Sequence, residues 1–197
     1  MKDGTYTFTS ADGTRIAYDW YREVQEPMSE TIQIGAGQVV EVLGSSEEVL
    51  LLETTYAPGG SAPPAHFHPV QSEHFEILAG SVHVEVGGRR RQLRTGEQLD
   101  IPPNTAHRMW NPSGEPARAR WETRPAGRTE QWFRGLGALQ GTGWVDQDGQ
   151  PKPLAFAALA SEHQDTFRLA GPQWLTRPAL AAASALARLR GFRAPPA

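Results

Sequence analysis

The chain has 197 residues, 39% of them apolar, with 19 basic and 22 acidic side chains and a net charge of −3. That length and composition suit one globular unit around a single core, and the near balance of charge argues against nucleic acid or another polyanion as partner. There is no cysteine, which excludes disulfides and thiolate ligation and leaves only nitrogen and oxygen donors for any metal.

The N-terminal stretch TYTFTSADGTRIAYDWY carries Tyr6 and Phe8 on one arm and Ile16, Tyr18 and Trp20 on the other, around Asp12-Gly13. This alternation predicts a β-hairpin. No apolar leader precedes it, and the longest apolar run, ALAAASALA, is too short to cross a bilayer. A cytoplasmic location without membrane contact is expected.

From about 32 to 124 strand follows strand: IQIG, QVVEVL, EVLLLETTYAP, two histidine-bearing segments and ARARWETRPA. Short strands separated by Gly and Pro point to a sandwich or a closed barrel. In GSAPPAHFHPVQSEHFEILAG, His66 and His68 share a face if the chain there is extended. Past the polar connection PVQS, Glu73 opens a strand on the side of Phe75 and Ile77, with His74 on the other side. SVHVEV turns Val82, Val84 and Val86 inward and His83 outward, and Gly87-Gly88 makes a tight turn. The following RRRQLR reads as a solvated edge rather than an anion patch. In GEQLDIPPNTAHRMWN, Pro102 and Pro103 end a strand, and Asn104 tolerates a positive φ. His107 then opens a strand in phase with Thr105 and Met109.

His66, His68, His107 and Glu73 together make a donor set suited to a divalent transition ion, and affinity order alone does not choose among Fe, Mn, Ni, Co, Cu and Zn. Isolated imidazoles and carboxylates are costly to bury, which favours a bound ion over histidines kept as filler. Tyr56, Phe75 and Met109 are candidates for lining the cavity beside them. His74 and His83 face away from the donors, and His163 is expected on a helix far from both segments. GLGALQG has a glycine rhythm but follows no predicted strand, so nucleotide binding is not expected.

The last third changes period. RTEQWFRGLGALQ places Trp132, Phe133, Leu136 and Leu139 at helical spacing after a cap at Thr129. PLAFAALASEHQ predicts a second helix. PALAAASALARLR predicts a third, with Pro178 in its first turn and Gly191 at its stop.

The two histidine segments resemble the paired signatures of the cupin superfamily. Gly60, His66, His68, Glu73 and Gly80 complete the first. Gly96, Pro102, His107 and Asn111 fall on the second, which departs only in carrying Asn104 where the family has glycine. The resemblance covers about residues 45 to 122. It implies a mainly β architecture, a double-stranded β-helix or jelly-roll barrel over 31–125. An N-terminal hairpin extension over 1–30 and a helical C-terminal extension over 126–197 would complete one structural domain. It also implies a metal held by the four donors, a small-molecule substrate and a homodimer. Similarity to quercetin dioxygenases makes a dioxygenase the leading expectation, with Glu73 as ligand and base. A metal-dependent isomerase, epimerase or cyclase and a non-catalytic small-molecule binder are the alternatives.

Overall fold

In the computed structural model, which describes residues 5–9, 15–19, 30–35 and 37–194, the alternating segments form antiparallel sheets. Strands β1 (Thr5–Thr9) and β2 (Arg15–Asp19) pair as a separate two-stranded ribbon. The expected turn at Asp12-Gly13 lies outside the described residues, as does Trp20. The strands that follow are β3 (Glu30–Ile34), β4 (Gln38–Ser45), β5 (Leu50–Tyr56), β6 (His66–Phe67), β7 (Ser72–Ala79), β8 (Ser81–Val86), β9 (Arg89–Arg94), β10 (Gln98–Ile101), β11 (His107–Trp110) and β12 (Ala117–Arg124). Then come α1 (Thr129–Gly137), α2 (Pro153–Glu162), the two-residue strand β13 (Arg168–Leu169) and α3 (Gln173–Leu189).

One sheet has the order β10-β7-β12-β5-β4-β3 and the other β13-β6-β11-β8-β9. The expected mainly β jelly roll with terminal helices is therefore the observed fold. Its core is the inward half of each alternation, with Leu50, Leu52, Ile77, Val82, Val84 and Leu93 all fully buried. Each such side chain contributes about 1.5–3 kcal/mol of hydrophobic stabilisation. RRRQLR forms the edge strand β9, exposed except at Leu93.

Turn residues hold the ligand segments in register. Gly80 has φ 72°, and a Cβ there would lie 2.5 Å from the Pro116 carbonyl oxygen, so no larger residue fits. Asn104 takes φ 60°; its backbone N–H donates to the His68 carbonyl at 2.8 Å and its Nδ2 to the Pro69 carbonyl at 2.9 Å. The substitution for the family's glycine thus keeps the turn and adds a side-chain tie to the other histidine segment.

Three local expectations are corrected. Thr129 does not cap α1: the N-cap is Arg128, without a side-chain cap bond. Thr129 is instead the buried first helical residue, and its Oγ1 accepts from Gln71 Nε2 at 2.8 Å. Gln71 in turn is no part of a merely polar connection, since it is buried and donates to the carbonyls of Pro125 and Ala126. Helix α3 starts at Gln173, so Pro178 sits inside it rather than in its first turn. The carbonyl that Pro178 leaves without an i−4 partner is that of Trp174, which is 79% exposed and can bond water instead. The expected stop holds: Gly191 has φ 87°, and Gly191 and Phe192 donate to the carbonyls of Arg188 and Ala187, a Schellman closure. Among the described residues no helix is long and apolar enough to cross a membrane.

Candidate metal centre

Backbone pairing brings the two histidine segments together, with β6 joined to β11 at the pair His66 and His107. Strand β7 lies in the facing sheet and directs Glu73 inward, in phase with Phe75 and Ile77. His68 follows directly after β6. The three histidines offer one ligating atom each, all within 4.8 Å of one another. Glu73 stands against two of them: Oε1 is 3.2 Å from His68 Nε2, and Oε2 is 2.8 Å from His107 Nε2.

Each imidazole is oriented by a carbonyl on its far side. Nδ1 of His66 faces the Pro64 carbonyl at 3.3 Å, Nδ1 of His68 the Thr166 carbonyl at 2.7 Å and Nδ1 of His107 the Thr105 carbonyl at 2.9 Å. A carbonyl oxygen only accepts, so Nδ1 carries a hydrogen in all three rings, and each Nε2, once free of its own proton, presents a lone pair to the centre. That is the arrangement by which a protein prepares histidines for a metal. Two atoms leave room for a cation: His68 Nε2 and Glu73 Oε2 are buried without a hydrogen-bond partner. A divalent ion among these lone pairs satisfies both, and the donor set fits one.

The electrostatics agree. Burial, with His107 and His68 adding, pushes His66 down from 6.5 to about 3. His68 moves the other way: burial opposes its charge, but the Glu73 carboxylate and the bonds to Glu73 and Thr166 outweigh it. Burial would raise Glu73, yet His68 and His107 hold it well below the usual carboxylate range. Burial above all holds the Tyr56 hydroxyl well above the usual phenol range, and the Glu73 charge adds to this.

Of the cavity candidates, Tyr56 is buried and its hydroxyl lies 3.5 Å from Met109 Sδ, while Met109 is half-buried. Phe75 is buried and stacks on Trp121 with ring centroids 5.1 Å apart. His74 pairs with Asp100 at 2.7 Å on the outer side of β7, and His83 lies beside Trp110.

Several supporting residues carried no readable sequence signal. Trp121 Nε1 donates to Glu73 Oε1 at 3.1 Å. Phe167 stacks on His66 with centroids 4.6 Å apart, and Trp132 stacks on Phe167 at the same separation. His163, expected on a helix far from both segments, is the buried C-cap of α2, and its ring lies 5.7 Å from Trp132. The adjacent pair Trp132-Phe133 was the one available hint, because Phe133 backs Trp121 at 5.1 Å just as Trp132 backs Phe167.

Among the four donors only His66 is half-buried; His68, Glu73 and His107 are buried. Two surface grooves, one lined by Trp144, Lys152 and Arg190 and the other by Ser81, Arg94 and Glu115, are not lined by any of them. The side of His66 is therefore where the centre comes nearest to solvent.

Residues 52–121 match the family model described as "Cupin domain". Oxidoreductase macE of Penicillium terrestre is 40% identical over 57 residues, covering 28% of this chain and 22% of the relative. Tetracenomycin polyketide synthase protein TcmJ of Streptomyces glaucescens is 31% identical over 99 residues, covering 50% of this chain and 59% of the relative. The chain thus spans less than two thirds of the curated relatives it matches. Among solved structures, an RmlC-like cupin from Shewanella frigidimarina is 23% identical with a TM-score of 0.48, covering 56% of this chain and 95% of that one.

Proposed function

We propose, from the match of residues 52–121 to the cupin domain model, that this chain is a metal-dependent enzyme acting on a small organic molecule, of the dioxygenase type. The observation that carries the reading is the set of three imidazoles whose Nδ1 atoms are all occupied by carbonyls, with an ionised buried carboxylate between two of them. The likeness over 57 residues to a relative named as an oxidoreductase supports the same direction. His66, His68 and His107 would hold the ion through Nε2, with Glu73 beside it. A divalent transition ion bound there supplies Lewis acidity and, for a redox-active metal, access to dioxygen.

The chain's own groups divide the remaining work. Glu73 Oε2, unprotonated and without a hydrogen-bond donor, can take a proton from an enol or hydroxyl presented at the His66 side. Trp121 Nε1–H holds Oε1 and so leaves Oε2, beside His107, as the oxygen turned to the centre. Tyr56, kept protonated by burial, is a donor and not a base. The carboxylate itself is buried beside Trp121, whose ring stacks on Phe75. Oxygen uptake by the metal-loaded protein across flavonols and enediols tests the reading: consumption coupled to loss of substrate is expected, and no consumption across the panel with any of the six metals overturns it.

A second reading has a specific observation behind it, the likeness over half of this chain to a polyketide synthase protein. Glu73 would then shuttle a proton in a cyclisation or isomerisation that uses no oxygen. Turnover under strict anaerobiosis selects that reading, and tight binding of a small molecule without turnover selects a binder.

A further inference from the structure

The C-terminal extension reaches the donors directly. Strand β13 adds to the edge of the second sheet through Arg168–Phe67 and Leu169–His66, and Ala170 N–H donates to the Ala65 carbonyl at 2.8 Å. Immediately before it, the Thr166 carbonyl accepts from His68 Nδ1 and the Phe167 ring lies on His66. Two of the three imidazoles are thus oriented by residues about a hundred positions away. The segment is itself held at two points. Trp132 stacks on the back of Phe167, and Arg128 reaches from the start of α1 to both oxygens of Asp165 and to the Glu162 carbonyl.

We propose that the segment from His163 to Leu169 is a positioning clamp for the metal centre: Thr166 sets the tautomer of His68, Phe167 sets the ring plane of His66, and Arg128 latches the clamp shut. This rests on the metal reading above. The segment lies outside the barrel signatures in sequence, so a barrel with intact His66, His68, His107 and Glu73 but a displaced clamp would bind metal poorly. The physical reason is pre-organisation. A His68 free to exchange its hydrogen between Nδ1 and Nε2 offers a lone pair to the ion only part of the time, and an unsupported His66 ring must give up rotational freedom on binding.

The test uses the full chain, Co²⁺ as the probe and two variants that leave every donor in place. Phe167→Leu keeps apolar volume but removes the ring face. Arg128→Gln removes the exposed latch. Arg188→Gln, which breaks only the contact of α3 with Glu162, is the control. Competition against a chromophoric chelator gives the Co²⁺ affinity, the visible spectrum of bound Co²⁺ its coordination, and ring ¹⁵N shifts of the metal-free protein the tautomer of His68. Both variants are expected to lose roughly 10–100-fold in affinity, as for other groups that orient metal-bound histidines. Their His68 nitrogens should move from the Nδ1–H pattern toward a mixture, while Arg188→Gln matches the wild type. Affinities within about twofold of wild type, together with an unchanged His68 pattern in both variants, overturn the clamp. Should Phe167→Leu fail to fold, Arg128→Gln decides by the same criteria. A wild-type chain that takes up no Co²⁺ sinks the metal reading instead; the nitrogen shifts then decide the clamp on their own, for it or against it.

Discussion

His107 Nε2 lies 2.8 Å from Glu73 Oε2, although the same ring already commits its Nδ1 hydrogen to the Thr105 carbonyl. With that ring neutral, two lone pairs face one another at hydrogen-bond distance. A buried contact of that kind is repulsive unless a proton or a metal ion lies between them.

Glu73→Gln separates the two possibilities. A glutamine Nε2–H₂ can donate to His107 Nε2 while its oxygen still accepts from Trp121 Nε1, so the contact with His107 is satisfied without a cation and only His68 Nε2 stays unpartnered. The metal-free variant is expected to melt within about 3 °C of the metal-free wild type at pH 8. Its affinity for Co²⁺ should fall by roughly tenfold or more, and its turnover by about 10²–10⁴ if Glu73 is the base. Calorimetry and chelator competition check both halves, and a variant that binds Co²⁺ as tightly as wild type removes Glu73 from the centre.

The protonation of the metal-free site predicts a stability maximum. His66 is pushed down from 6.5 to about 3, so between those values the unfolded chain binds a proton that the folded chain refuses, and stability falls as pH falls. His68 is raised above 6.5. Its contribution is complete below 6.5 and is lost as pH rises through the folded value. Glu73 is lowered, which adds to the acid loss below its ordinary range. The melting temperature of the metal-free chain should therefore peak near pH 6.5 and decline on both sides. Replacing His66 by Asn should flatten the acid limb and replacing His68 by Asn the alkaline one; a monotonic profile for the wild type contradicts the assignment.

Those shifts show where the sequence was and was not legible. His66, His68, Glu73 and His107 could be placed because strand alternation is a local rule, and a two-residue spacing reports a shared face without knowledge of the partner strand. Asn104 could be read as a turn residue for the same reason, since a left-handed φ is a property of one residue. Thr166 is a different case: it acts through its carbonyl, which every residue type has, so composition cannot announce it. Phe167 and Trp132 stack across separate elements, and an aromatic in a helical stripe looks identical whether it backs a core or a ligand. Pro178 misplaced the start of α3 because the proline rule assumes that the orphaned carbonyl is buried, and here it belongs to Trp174, an exposed residue. The polar PVQS hid Gln71 because polarity predicts exposure unless the partners, here three acceptors around the start of α1, are known.

Asn104 offers a test of how the turn serves the site. Alanine in its φ of 60° costs about 1–2 kcal/mol of backbone strain, and loss of the Nδ2 bond to Pro69 costs about another 0.5–1.5 kcal/mol. Glycine removes the bond but not the conformation. Asn104→Ala should lower the melting temperature by roughly 3–14 °C at two to four degrees per kcal/mol, and Asn104→Gly by clearly less. Equal losses for the two variants show that the side-chain bond, and not the backbone angle, is what the position provides.

Metal removal gives the most direct reading of the centre. An ion present at about 100 times its dissociation constant stabilises the folded chain by about 2.7 kcal/mol, which for a chain of this size raises melting by roughly 5–10 °C. Each neutral Nε2 must be free of its proton to bind, and His68 holds one more firmly than an ordinary histidine. The increment should therefore shrink as pH falls below neutrality, with protons released on binding. Titrating Co²⁺ in weakly buffered solution and counting the protons released at pH 7 and pH 8 measures that link. No proton release at either pH, or a melting increment that is the same at pH 6 and pH 8, would show that the ion binds somewhere other than among His66, His68 and His107.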